Sequence, residues 1–424
     1  MKEDFLHYIW QHKKFNILNL KTTQHEPLEI ISGGILNFHS GPDFFNGKLR
    51  IANQLWAGNI EIHIKSSNWF VHGHEQDASY DNVILHVVYE HDIDIFRKDN
   101  TIIPTLELKT RIDTTLLNTY YKLYLSNNKW INCEQDITSV SKFKISNWLE
   151  RLYFERLERK SDMILEILKT SKNDWEGTLF KMLAKNFGLK VNGDSFFSVV
   201  NSFDFSVVRK TSSDALILEA LFLGQSGLLD NTNGLDAYYL QLQNDYMFLK
   251  QKFQLNNQGV QPLRFFRLRP RNFPTIRWSQ LAQLYHQEQQ LFSKVIISNS
   301  LLELYQIFEV TTNPYWETHF TFGKEGKSSV KKVTKSFINL LLINTILPIK
   351  FCYHQQKGEL KDEIILDIVR QITSEKNTII DGFKRLNIMP ESALESQALL
   401  ELKTLYCDKN RCLKCAIGNA LLSK

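Results

Sequence analysis

A chain of 424 residues, 43% of them hydrophobic, has material for a large packed core and room for two or three domains. A formal charge of +5 is small for that length, so net charge does not announce a nucleic-acid protein and any basic site has to be local. Five cysteines, an odd number, argue against a disulfide framework and for reduced thiols or metal ligands.

The first residues, Met1-Lys2-Glu3-Asp4-Phe5-Leu6-His7, place charges where an export signal needs an apolar run, so a cytoplasmic protein is expected. Phe5, Tyr8, Ile9 and Trp10 then recur at helical spacing. Strands are expected over 28–31, over 47–51, over 58–65 and, with strong β-branched enrichment, over 82–90. Another covers 103–109, with Pro104 at its start, where a missing N–H is tolerated. Residues 28–110 thus read as a compact unit of five or six strands. From about 112 the period becomes helical, with nine or ten helices, among them 146–169, 175–187 closed by Gly188, 213–223 and 360–372. The apolar stretch 337–352 contains Asn339, Asn344, Pro348 and Lys350 and is shorter than the roughly 20 residues of a membrane span. A buried helix is expected there, with no membrane partner. The irregular insert 313–332 reads as a mobile basic loop. The fold class is therefore α+β: a mixed β unit over 1–135 and a helical domain over 136–424.

The chemistry concentrates in Gly58-Asn59-Ile60-Glu61-Ile62-His63-Ile64-Lys65. Alternation puts the isoleucines on one face and Asn59, Glu61, His63 and Lys65 on the other. Asp43 precedes the neighbouring alternating run, and His72-Gly73-His74, Asp77 and Asp81 follow. Nine of the twelve histidines lie before residue 92, which favours a metal or acid-base site in the β unit. The bland alternative is a solvated polar strand face, with His86 a hydrogen-bonded core residue. His72 and His74 are candidates to contact substrate or, with Asp77, to ligate zinc.

Pro42-Asp43 followed by Glu61-Ile62-His63, with Lys65 two residues on, resembles the PD-(D/E)xK nuclease pattern. The resemblance implies a restriction-endonuclease-like core in which Asp43 and Glu61 hold Mg²⁺ or Mn²⁺ and a lysine orients the attacking water. His63 occupies that lysine's slot, which leaves His63 or Lys65 to assist the water.

Two further clusters stand apart. Cys407, Cys412 and Cys415 follow a Cys-x4-Cys-x2-Cys spacing suited to Zn or an iron–sulfur cluster, with Cys133 the first candidate for a fourth ligand and Cys352 or His354 the next. Arg264, Arg267, Arg269, Arg271 and Arg277, interleaved with Phe265, Phe266, Phe273 and Trp278, suit either a grip on nucleic-acid phosphates and bases or a loop pinned by carboxylates. Glu219 is a candidate buried partner for one of these arginines. With GPDF, GNIEIHIKSSNW, EALFLGQSGLL, RLRPRNFP and YCDKNRCLKCAIG in view, the chain resembles domain-of-unknown-function family 2851, an uncharacterised bacterial family common in Bacteroidetes. That resemblance implies a cytosolic bacterial protein and no particular activity. The expected function is a divalent-metal-dependent nuclease acting on DNA or RNA. The alternative is a non-catalytic nucleic-acid-binding or assembly protein with a degenerate nuclease core and a structural metal site.

Overall fold

A computed structural model describes the chain except for residues 125–128, 231–235, 360 and 424. The fold is mixed α/β, an N-terminal sheet followed by many helices. It divides into two compact units. The first comprises Met1–Trp148, Arg385–Ile388 and Leu402–Lys424, and the second comprises Leu149–Lys384 and Met389–Glu401. The cysteine-bearing C-terminal segment therefore belongs with the sheet, although sequence alone had assigned everything after residue 135 to the helical part.

In the first unit, α1 (Glu3–Gln11) precedes β1 (Leu28–Ser32), β2 (Ile35–Leu36), β3 (Phe44–Ile51), β4 (Gln54–Lys65), α2 (Asn68–Val71), β5 (Val83–Glu90), β6 (Thr105–Glu107) and α3 (Thr114–Tyr124). The sheet order is β1-β3-β4-β5-β6, with β2 also on β3. β1 and β4 run antiparallel to β3, whereas β5 runs parallel to both β4 and β6. Ile51 pairs with Gln54, so Ala52 and Asn53 alone make the β3–β4 turn. Both have positive φ, 45° and 70°, as a two-residue type I′ hairpin requires. Further along, Phe44 pairs with Ile60 but Gly47 with Gly58, a bulge that sets the start of β3 beside Glu61. Gly58 fits because a Cβ there would lie 2.6 Å from the Asn82 carbonyl oxygen. β5 has six successive buried residues, as expected of a strand paired on both edges and covered on both faces. Leu85, Val87 and Val88 are fully buried, each contributing about 2 kcal/mol of transfer free energy. The indole N–H of Trp10 donates to the Gly33 carbonyl at 2.9 Å, and α1 packs on β4, which carries His7 to the sheet.

The second unit begins within α4 (Lys142–Thr170) and continues through α5 (Trp175–Phe187), α6 (Leu189–Asn201), α7 (Phe205–Thr211), α8 (Ala215–Gln225), α9 (Ala237–Phe253) and α10 (Pro274–Gln287). α8 and α9 approach so closely that a Cβ on Gly224 would fall 2.1 Å from the Tyr246 ring. The insert 313–332 is not a loose loop. Trp316 within it is fully buried, and the Lys331 ammonium donates to the Trp316 and Glu317 carbonyls. The apolar stretch 335–357 is long and apolar enough to cross a membrane by length and composition, yet most of it is buried inside the fold. A π turn, Leu342–Ile346, interrupts it. The helix expected from residue 360 runs Asp362–Gln371; Leu360 lies outside the described residues.

Glu176, at the start of α5, accepts the Phe292 amide hydrogen at 3.1 Å, and burial pushes its carboxyl up to about 7. Its folded-state pKa thus lies above the unfolded value of about 4.5, so the fold keeps a proton that the unfolded chain releases. Stability is lost as pH rises from 4.5 to 7. A Glu176→Gln variant, which keeps the acceptor oxygen, is expected to match wild type at pH 4.5 and to exceed it at pH 8 by about 1–3 kcal/mol. Urea unfolding at the two pH values measures the gap, and an equal gap at both would contradict it.

Candidate metal centre

Sheet geometry carries Asp43, Glu61 and His63 to one place, and the α2 crossover delivers His72 and His74 there. The middle of β4's polar face is not solvated: Glu61 is 4% exposed and His63 1%. Asp43 and Glu61 interlock across the bulge. The Asp43 amide donates to Glu61 Oε2 at 3.0 Å, and the Ile62 amide donates to Asp43 Oδ2 at 3.0 Å.

The histidines form a connected group. His63 Nε2 lies 3.1 Å from His72 Nδ1 and 3.6 Å from Glu61 Oε1, and His74 Nε2 lies 3.3 Å from the same Glu61 oxygen. The ligand nitrogens of His63, His72 and His74 all fall within 4.8 Å of one another. Imidazole and carboxylate ligands at about 2.1 Å from a tetrahedral ion stand about 3.4 Å apart, so these separations match the edges of a single coordination polyhedron. His74 Nε2 is buried with no aligned hydrogen-bond partner, a nitrogen that a cation beside Glu61 would satisfy. On its other side, His63 Nδ1 contacts His86 Nε2 at 2.8 Å. With the proton on His63 Nδ1, its Nε2 lone pair is free to ligate, the usual arrangement for a metal-binding histidine oriented by an outer partner. His86 is fully buried, so the core-residue reading holds for it.

Electrostatics agree with the geometry. Burial raises the Glu61 carboxyl to about 7; the Asp43 charge pushes the same way, against the pull of His74 and the Asp43 amide. Burial, then the neighbouring histidines, lowers His63 to about 2, and burial lowers His86 to about 3. His63 is therefore a neutral imidazole at physiological pH, the form a metal ligand needs.

Other predicted residues fall elsewhere. Lys65 is exposed, and its charge acts on Glu90 and Asp92. Asp77 caps the turn at Ala78–Tyr80 by accepting the Ser79 amide at 2.8 Å, so a closed His72/His74/Asp77 set does not form. In the second unit, Arg264, Arg267, Arg269 and Arg271 are exposed. Arg277 instead is buried, donating to Asn272 and Gln280 and lying over the Phe337 ring. Among the described residues no arginine binds Glu219; its carboxylate accepts from Tyr238, Ser279 and Trp316. Two site residues went unsingled in the sequence. His7 Nε2 reaches Asp43 Oδ2 at 3.0 Å, and the Tyr80 ring stacks on His74 at 3.8 Å. Only the crowding of histidines before residue 92 pointed toward His7; nothing marked Tyr80.

Fold and site together define a mixed α/β protein with a histidine-rich, carboxylate-bearing candidate metal centre in its sheet unit. The family described as "Protein of unknown function (DUF2851)" matches residues 3–378, and the chain belongs to that family. The C-terminal cysteines lie beyond the matched residues. No curated protein and no solved structure matches the chain.

Proposed function

We propose that the sheet unit is a divalent-metal-dependent hydrolase of nucleic-acid phosphodiesters, a variant of the PD-(D/E)xK plan. The observation that carries the reading is the convergence of Asp43, immediately before β3, and Glu61, on the adjacent antiparallel β4, with three histidine nitrogens within 4.8 Å of one another. Glu61, His63, His72 and His74 would hold the ion. Once bound, it would polarise a phosphoryl oxygen and lower the pKa of the attacking water. Three nitrogen ligands suit Mn²⁺ or another first-row ion better than Mg²⁺, which prefers oxygen.

His7 takes the cationic role that the missing lysine leaves open. Burial works against its charge, but the Asp43 carboxylate 3.0 Å away, with help from Glu3 and Glu61, outweighs that and raises its pKa. It can therefore hold a proton beside Asp43 and pass it on. His86 orients His63, and Tyr80 fixes the plane of the His74 ring. The exposed arginines at 264, 267, 269 and 271 in the second unit are suited to phosphate contacts.

The test is incubation of the chelator-treated, full-length protein with single- and double-stranded DNA and RNA, with Mn²⁺, with Mg²⁺ and with neither. Cleavage with Mn²⁺, weaker with Mg²⁺ and absent in EDTA, is the expected result. The absence of lysine from the site favours a second reading, a nucleic-acid-binding or assembly protein on a degenerate core. Salt-sensitive binding without cleavage under any metal would select it.

A further inference from the structure

The C-terminal cysteines do not form a site by themselves. Cys407 ends a π turn, Leu402–Cys407, and Cys412 opens a 3-10 turn, Cys412–Lys414, that leads directly to Cys415. The fourth cysteine comes from far back in the sequence. Cys133, on the segment between α3 and α4, lines the same small pocket, about 20 Å³, as Cys407, Cys412 and Cys415. Ile131, Ile137, Leu402 and Ile417 supply apolar walls. Cys352, by contrast, is buried in the second unit against the Ser161 carbonyl, and His354 there contacts Glu359, so neither competes for the fourth position.

The sulfurs also have hydrogen-bond donors. The Asn132 side-chain amide donates to Cys412 Sγ at 3.4 Å and to Asn410 Oδ1 at 3.0 Å, which joins the Cys133 segment to the cysteine turn. The backbone N–H groups of Ile417 and Gly418 favour the anionic form of Cys415, against the effect of burial. Such N–H···S bonds, a dry apolar shell and nearby cations, here Lys403 and Arg411, are what stabilise an anionic thiolate-held centre.

Spacing separates the two kinds of centre that four cysteines hold. Zinc–sulfur bonds of about 2.3 Å place tetrahedral thiolates about 3.8 Å apart. Among the described residues, the group of three ligands lying wholly within 4.8 Å is the histidine triad and not any triple of these cysteines. Four sulfurs of which no three fall wholly within that limit, set around an apolar pocket, suit a polynuclear centre, in which the thiolates bind different metal atoms.

We infer that Cys133, Cys407, Cys412 and Cys415 ligate an iron–sulfur cluster that fastens the C-terminal segment to the segment following α3 within the sheet unit. This site is separate from the histidine centre and stands whether or not that centre hydrolyses phosphodiesters.

The test uses the full-length protein, expressed with iron and purified without oxygen, analysed for iron, zinc and acid-labile sulfide and by visible absorption. Iron and sulfide in comparable amounts, with a broad visible band bleached by dithionite, are expected. Cys133→Ser and Cys412→Ser should each lose most of the sulfide, whereas Cys352→Ser and His63→Ala should retain it. Sulfide is the deciding readout, because a histidine centre can bind iron but does not hold sulfide. One equivalent of zinc without sulfide would overturn the inference in favour of a mononuclear site. So would four free thiols with neither metal nor sulfide, or sulfide that survives in Cys133→Ser.

Discussion

An Asp43→Asn/Glu61→Gln variant is expected to lose metal-dependent phosphodiester cleavage by about a thousandfold or more while remaining folded. Both substitutions keep an oxygen that can accept the amide hydrogens of Ile62 and Asp43, so the bulge that positions the site is retained. What disappears is negative charge. Glu61 Oε1 is the oxygen that faces both His63 and His74, and a neutral amide there binds a divalent cation poorly. Losing about 4 kcal/mol of charge stabilisation in the transition state corresponds to that thousandfold. Single-turnover cleavage rates with saturating Mn²⁺, beside thermal unfolding of the same samples, measure it. Full activity in a folded variant would remove these carboxylates from the chemistry.

Glu219→Leu is expected to cost about 3–5 kcal/mol of stability in the second unit. The Glu219 carboxylate is completely buried on α8 and accepts from Tyr238 at 2.6 Å, from Ser279 at 2.8 Å and from the Trp316 indole N–H. Burial raises its pKa, opposed by those same three donors. Leucine fills a similar volume but leaves all three donors without their acceptor, the Ser279 hydroxyl and the Trp316 indole N–H fully buried. Ser279 also accepts the Asn313 amide, so the loss reaches the segment that carries Trp316. Glu219→Gln keeps one good acceptor and is expected to cost roughly half as much. Urea unfolding followed by tryptophan fluorescence reads both. A Glu219→Leu protein as stable as wild type would mean that the three donors find other partners.

Much of the sheet was legible because its signals are local. Alternation located β3 and β4, and β-branched residues located β5. The two-sided burial of β4 was not legible. A strand reading Asn-Ile-Glu-Ile-His-Ile looks half-solvated; the α2 crossover, with Trp69 edge-on to His74 and His86, helps to cover its polar face. His7 was hidden for a similar reason. Its role depends on α1 packing against β4, a contact between segments remote in sequence. In the second unit, Arg277 looked identical to its neighbours by composition. Its burial follows from its place on α10, which begins at Pro274 and is buried from that residue through Leu284 except at Gln283. The insert 313–332 reads as a loose loop because Gly323, Gly326 and several lysines punctuate it, whereas Trp316 anchors it to the core.

The most direct test of the metal centre is calorimetric titration of chelator-treated protein with Mn²⁺, carried out on a Cys412→Ser background to keep the cysteine pocket out of the measurement. The structure predicts one saturable site per chain, abolished by His63→Ala and unchanged by Lys65→Ala. Equal binding in the His63→Ala and parent proteins, or no binding in either, would contradict the assignment of Glu61, His63, His72 and His74 as a metal centre.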